Sequence, residues 1–291
     1  MIEVGIGLLL LCALLTNVAF LCEHRGAVAA PPVSAVRPWA SIKGLFASRW
    51  WTIGWAIGFV AWVLHVAALA VAPLSLVQAV IAGGLALIAG PAQRWFGIEL
   101  GRREWLGLML SAAGLAFLIA TAAAEQRASS SYSTSAMLGF ELVALAVGVT
   151  LLVSGREGGH AARCGAMMGI AAGLLIGVSD VSIKALTDSV PGDPLAVLSP
   201  WSAIALIASL CALYALARAL QIGGAIQVIA LSSIAANLAA ISGGVLVFGD
   251  SIGSDPLSIT ARVAAFATVI AAAGLIQGRQ AGVSAPSAAT A

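Results

Sequence analysis

The stretch GIAAGLLIGVSDVSIKAL (Gly169–Leu186) sets an aspartate and a lysine, four residues apart, into an otherwise apolar, small-residue run. A charge in such a run is costly unless something uses it. Gly169, Gly173 and Gly177 recur every fourth residue, so they share one helix face and permit a neighbouring helix to approach closely. Packing is their expected role.

The whole chain is of the same kind. Of its 291 residues 61% are hydrophobic and 9% charged, and the mean hydropathy is +1.05. Soluble domains carry roughly 25% charged residues, so the composition points to a membrane protein. The formal net charge of +2 and the absence of any Lys/Arg block exclude a nucleic-acid partner. Cys12, Cys22, Cys164 and Cys211 stand singly, with neither CxxC spacing nor a histidine cluster. They read as buried small hydrophobes, and no metal or cofactor is expected. The first apolar run, Ile2–Leu21, lacks a basic leader and is long enough to span, so it reads as a retained helix.

A window of about 20 residues places spans near 2–22, 50–71, 75–95, 104–124, 135–154, 164–187, 198–218, 222–248 and 259–277. With the N-terminus outside, the inner segments hold Arg25, Arg37, Lys43, Arg49, Arg94, Arg102, Arg103, Arg156, Arg163, Arg218 and Arg279. Arg127, Lys184 and Arg262 are left outside. That bias predicts nine spans, N-out and C-in, in a multi-pass protein of the inner (cell) membrane. Trp50, Trp51, Trp105 and Trp201 fall at span ends as interfacial aromatics.

The two halves repeat. ALAVAPLSLVQ (Ala68–Gln78) parallels ALARALQIGGAIQ (Ala215–Gln227), and WFGIEL (Trp95–Leu100) parallels VFGDSI (Val247–Ile252). AAGLAFLIA (Ala112–Ala120) answers AAGLI (Ala272–Ile276), and GIGLLLLCALLTNVAFL (Gly5–Leu21) answers the opening stretch. The expected fold is therefore all-α, with two inverted four-helix repeats. Residues 1–125 form the first, including a cytoplasmic loop at 24–49, residues 126–162 carry a connector helix, and residues 163–280 form the second. Residues 281–291 read as a disordered tail. Inverted repeats are the mark of secondary transporters, whose substrate site lies near the midplane between the repeats.

These segments resemble the drug/metabolite transporter superfamily, EamA-like branch: ALAVAPLSLVQ, FGIELGRREWLG (Phe96–Gly107), AAGLAFLIA and LSSIAANLAAISGGVLVFGD (Leu231–Asp250) carry the resemblance over nearly the whole chain. Nine spans rather than ten look closer to the NIPA-type magnesium-transporter branch, and Ala79 stands where the family often has proline. The resemblance implies a proton- or gradient-linked carrier of a small solute, working as a monomer or dimer.

Polar side chains inside spans are the candidate solute-binding groups: His65 and Trp62 in the second span, Thr16 and Asn17 in the first, Asp180 in the sixth, Tyr214 in the seventh, and Ser233 and Asn237 in the eighth. Gln78 and Gln227 occupy equivalent repeat positions. Asp180 falls about 7 Å beyond the middle of its span at 1.5 Å per residue. Lys184 reads as an anchor that snorkels to the outer headgroups while forming an i,i+4 pair with Asp180. Glu141, in the connector, reads as peripheral, and His24 and His160 as loop residues. No hydrolase, nucleotide-binding or metalloprotease motif is present, so no enzymatic activity is expected. The expected function is transport of a small organic solute across the lipid bilayer by alternating access, with self-pairing as a homodimer left open. The competitors are a Mg²⁺ carrier, a flippase for lipid-linked solutes and a non-transporting assembly partner.

Overall fold

The computed structural model describes every residue except 1, 35, 72–76, 78–80, 82–86, 98–99, 124–131, 158–160, 191, 250–255 and 278–291. In apolar surroundings every backbone N–H and C=O must be satisfied within the segment, and runs of Ala, Leu and Ile do this as helix. The described elements are α1 (Ile2–Ala29), α2 (Pro38–Phe46), α3 (Arg49–Val71), α4 (Ala89–Phe96), α5 (Arg102–Ala123), α6 (Thr134–Glu157), α7 (Ala161–Ser189), a 3₁₀ turn (Pro194–Leu198), α8 (Pro200–Ile222), α9 (Ala225–Phe248) and α10 (Pro256–Gln277). No strand occurs among the described residues.

Six of these helices, α1, α3, α6, α7, α8 and α9, are long and apolar enough to cross a membrane, so the chain reads as a multi-pass membrane protein. The expected spans near 104–124 and 259–277 coincide with α5 and α10, each 22 residues long and packed on one another. The expected third span, 75–95, and the tail 281–291 fall largely or wholly outside the described residues. The segment between the first two spans is not all loop: Pro38, at an N-terminal position that suits proline, opens the short helix α2. α1 also runs seven residues beyond its expected end, which places His24 inside a helix.

α7 and α9 form the centre, each with 72% of its span buried against 22% for α3 and α6. They run parallel and close together. Gly169 faces Val228, Gly173 faces Ser232 and Gly177 faces Ala239. A Cβ on Gly173 would collide with the Ser232 carbonyl oxygen, and one on Gly177 with the Ala239 methyl. The glycine ladder is a packing surface, as its spacing requires.

The other neighbours of α7 run against it or with it in a regular way. α6 is antiparallel, pairing Glu141 with Ser182, Gly148 with Leu175 and Gly155 with Met168. α8 is antiparallel, with Ser209 at Ser179 and Gly223 at Gly165. α1 and α3 form a second antiparallel pair, in which Gly26 meets Trp51 and Cys12 meets Ala61. The C-terminal ends of α1 and α8 and the N-terminal ends of α3 and α7 therefore come together. Arg25, Arg49, Arg163 and Arg218 share this end of the bundle, hereafter the basic end.

Two of the four tryptophans expected at the interface are instead packed inside. Trp51 is buried completely and Trp201 nearly so, the latter donating to the Tyr132 hydroxyl at 2.8 Å. Trp50 and Trp105 remain exposed, and Trp50 takes the Arg25 guanidinium on its face at 4.5 Å.

Candidate functional site

Between positions 179 and 188, α7 carries Ser179, Asp180, Ser182, Lys184 and Asp188. A helix turns 100° per residue, so 180, 184 and 188 form one slowly drifting stripe while 179 and 182 face away from it. The stripe faces α3. Asp180 Oδ1 lies 3.3 Å from His65 Nε2, an ion-pair distance without the alignment of a hydrogen bond. One turn further, Lys184 Nζ donates to the Leu69 carbonyl at 3.0 Å and to Asp188 Oδ1 at 2.7 Å. The opposite face is also bonded: Ser179 meets Ser209 of α8 at 2.9 Å, and Ser182 donates to Glu141 of α6 at 2.7 Å.

Two expectations are corrected here. The partner of Lys184 is Asp188, not Asp180, and Lys184 is buried at 7% exposure rather than reaching outward. The carbonyl of Leu69 explains the second change. Its helical partner would be the N–H four residues on, and that residue is Pro73, which has none. An unfilled carbonyl in an apolar setting attracts a donor, and an ammonium with three hydrogens fills it while keeping Asp188. Lys184→Met should therefore strand both Asp188 and the carbonyl. Breaking a buried pair costs about 3–5 kcal/mol, so the variant should melt well below the parent in detergent, with Lys184→Met/Asp188→Leu recovering part of the loss.

Glu141 is likewise not peripheral: it is buried at 2% exposure, with Ser182 as its donor. His24 is a helix residue whose Nδ1 lies 3.1 Å from the Leu220 carbonyl in the last turn of α8. A carbonyl can only accept, so Nδ1 carries the proton there. Glu23 was not singled out by sequence, although FLCEHRG places it directly after an apolar run. It is buried where α1 packs against Gly54 of α3.

Thr16 Oγ1 and Asn17 Nδ2 bond back to the carbonyls of Cys12 and Ala13, both at 2.9 Å, on the part of α1 that packs beside Ala61, one turn before His65. Asn237 Nδ2 bonds back to the Ser233 carbonyl at 2.7 Å. Such i−4 bonds satisfy a polar group inside its own helix. Gln227 is buried, its carbonyl oxygen without a hydrogen-bond partner among the described residues. Trp62 faces outward at 47% exposure and stacks on Phe59. Tyr214 lines a cavity at the basic end, three to four turns along α7 from Asp180. Gln78 lies outside the described residues. Among the described candidates, His65 and Asp180 are brought together across two helices.

A buried imidazole and a buried carboxylate at this distance form a polar link between α3 and α7 within otherwise apolar surroundings. No family model matches the chain, and neither do the curated proteins or the solved structures.

Proposed function

We propose that the chain is a secondary carrier of the drug/metabolite type, moving a small organic solute across the inner membrane by alternating access coupled to proton binding at His65–Asp180. The observation that carries this reading is the buried pair itself, because it joins α3 to α7. On the repeat reading, α1, α3, the 75–95 segment and α5 make one unit, and α7 to α10 make the other. A proton at the pair then bears on the joint between the units.

Several contacts support the inverted repeat. Under the alignment α1 corresponds to α7 and α3 to α8, and α1 runs antiparallel to α7. The first helix of each unit offers a basic side chain to a last-turn carbonyl of the other unit's second helix: Lys184 to Leu69, and His24 to Leu220. The last helices, α5 and α10, pack on each other. The two positive-φ glycines among the described residues, Gly97 at 64° and Gly249 at 69°, both end a helix within the matched WFG and VFG motifs. A basic end that gathers Arg25, Arg49, Arg163 and Arg218 supports the N-out, C-in orientation. Asp180 stands with a histidine rather than with further carboxylates, which favours a proton over a Mg²⁺ ion in need of several oxygen ligands.

The test is flux. Purified protein in proteoliposomes holding a pH-sensitive dye should show proton movement driven by an organic solute from a panel of amino acids, nucleobases and organic acids, with Mg²⁺ as the comparison. No flux and no thermal shift with any of them would overturn the reading in favour of a non-transporting membrane partner.

A further inference from the structure

The sequence LARALQIGG places Arg218 one turn before the end of α8, where a long cation ordinarily snorkels to the headgroups. It does not sit on open surface. The linker after α1 folds over the basic end, held by Gln221, whose Nε2 donates to the carbonyls of Ala27 (3.1 Å) and Pro31 (3.0 Å) and whose Oε1 accepts the Val33 N–H at 2.9 Å. Beneath this strap lies a cavity of about 470 Å³ between the linker, α7 and α8, lined among others by Val33, Ser34, Cys164, Met168, Tyr214 and Arg218. That volume falls within the range of small-molecule sites.

The chemistry of the lining is one-sided. Arg218 carries five N–H donors, and its one hydrogen bond among the described residues is a long one, 3.4 Å to the Gln221 oxygen that Val33 already uses. The strap supplies the Ser34 hydroxyl and α8 the Tyr214 hydroxyl, while no carboxylate belongs to the lining among the described residues. Arg25, Arg49 and Arg163 surround the same end and add to a positive field. A guanidinium in a partly enclosed space with hydroxyls beside it is the arrangement that takes a planar or tetrahedral oxyanion in bidentate fashion.

We infer that this cavity binds an oxyanionic group, a carboxylate or a phosphate, on Arg218, and that it is the basic-end vestibule through which the carried solute passes, which makes that solute an organic anion. The inference rests on the transport reading for the solute's passage, but the binding of an oxyanion stands apart from it and is measured separately. A free solute and the phosphate of a lipid headgroup present the same chemistry, so the two sources need separate arms.

The full chain is reconstituted in phosphatidylcholine nanodiscs and titrated calorimetrically with inorganic phosphate and with succinate. Saturable binding of either anion is expected, weakened about tenfold or more by Arg218→Gln, partly retained in Arg218→Lys, reduced in Tyr214→Phe and unaltered in Leu206→Ala, at an exposed position of α8 away from the cavity. Discs containing phosphatidylglycerol form the second arm. Arg218-dependent retention of that lipid, with displacement of the added anions, would assign the site to a headgroup phosphate and uphold the oxyanion site while removing the vestibule role. If folded parent and folded Arg218→Gln bind phosphate, succinate and phosphatidylglycerol alike, the inference is overturned. Should Arg218→Gln fail to give monodisperse protein, the Arg218→Lys and Tyr214→Phe series decides in its place. Absent anion binding with solute-driven proton flux intact overturns this inference and leaves the transport reading standing; binding without flux for any solute overturns the transport reading and the vestibule role with it, and leaves the oxyanion site.

Discussion

Gly173→Leu is expected to abolish folded protein. A Cβ at this position already runs into the backbone carbonyl of Ser232 and comes within 2.8 Å of the Ala235 methyl, so a leucine must force α9 away from α7. Backbone cannot swing aside as a flexible side chain does. Because α7 and α9 are the most buried spans, their separation would loosen the packing of the whole centre. Overpacking in a tolerant site costs roughly 1–3 kcal/mol; with no freedom to relax, the cost here should exceed about 4 kcal/mol. The measurement is size-exclusion chromatography in detergent, with Gly139→Leu as control, since a Cβ there meets nothing within 4 Å. A monodisperse Gly173→Leu protein with the parent's melting temperature would show that the α7–α9 contact is not the core of the molecule.

The second large effect is on flux. Asp180→Asn keeps the size of the side chain and removes the charge on which the proposed proton coupling at the His65–Asp180 pair depends. Solute-driven proton flux should fall by about two orders of magnitude, with the chromatographic profile unchanged. His65→Ala should do the same to flux and also lower the melting temperature, because it leaves a carboxylate buried at 7% exposure without its imidazole. The double variant separates a working pair from two unrelated residues. If the two side chains act together, His65→Ala/Asp180→Asn is less destabilised than the sum of the single changes. Strict additivity with undiminished flux would remove the pair from the mechanism.

How far the sequence reads depends on the distance over which each decision is made. Helix positions follow from local hydropathy, but the end of α1 shifted through contacts distant in sequence: it continues through Glu23, His24 and Arg25, whose side chains are taken up by α3, by the Leu220 carbonyl and by Trp50. The small-residue ladder was legible because its period of four dictates a face, whatever packs there. Trp51 was not legible as a core residue. Its neighbour Trp50 is the same residue type in the same helix turn, and the approach of Gly26 decides which of the two rings is covered. Trp62 and Tyr214 show the same difficulty, both aromatic and inside spans, one turned outward and the other lining a cavity. Glu141 and Glu23 were underrated because burial of a carboxylate is set by neighbours distant in sequence.

By itself, the sequence determined that this chain is a bundle of apolar helices, that α7 has a glycine face, and that His65 and Asp180 are costly where they stand. It also determined that Asp180 and Lys184 share one stripe, because four-residue spacing is a property of the helix alone; Asp188 lay just past the expected span and joins the stripe because the helix continues to Ser189. It did not determine which of these charges pair. Both Asp180–Lys184 and Lys184–Asp188 satisfy the same spacing, and nothing local distinguishes them. Only the tertiary structure decided, by setting α3 beside α7 in parallel register. An imidazole then stands level with Asp180, and a carbonyl left open by Pro73 stands level with Lys184. Each charge in the stripe takes the partner at its own height.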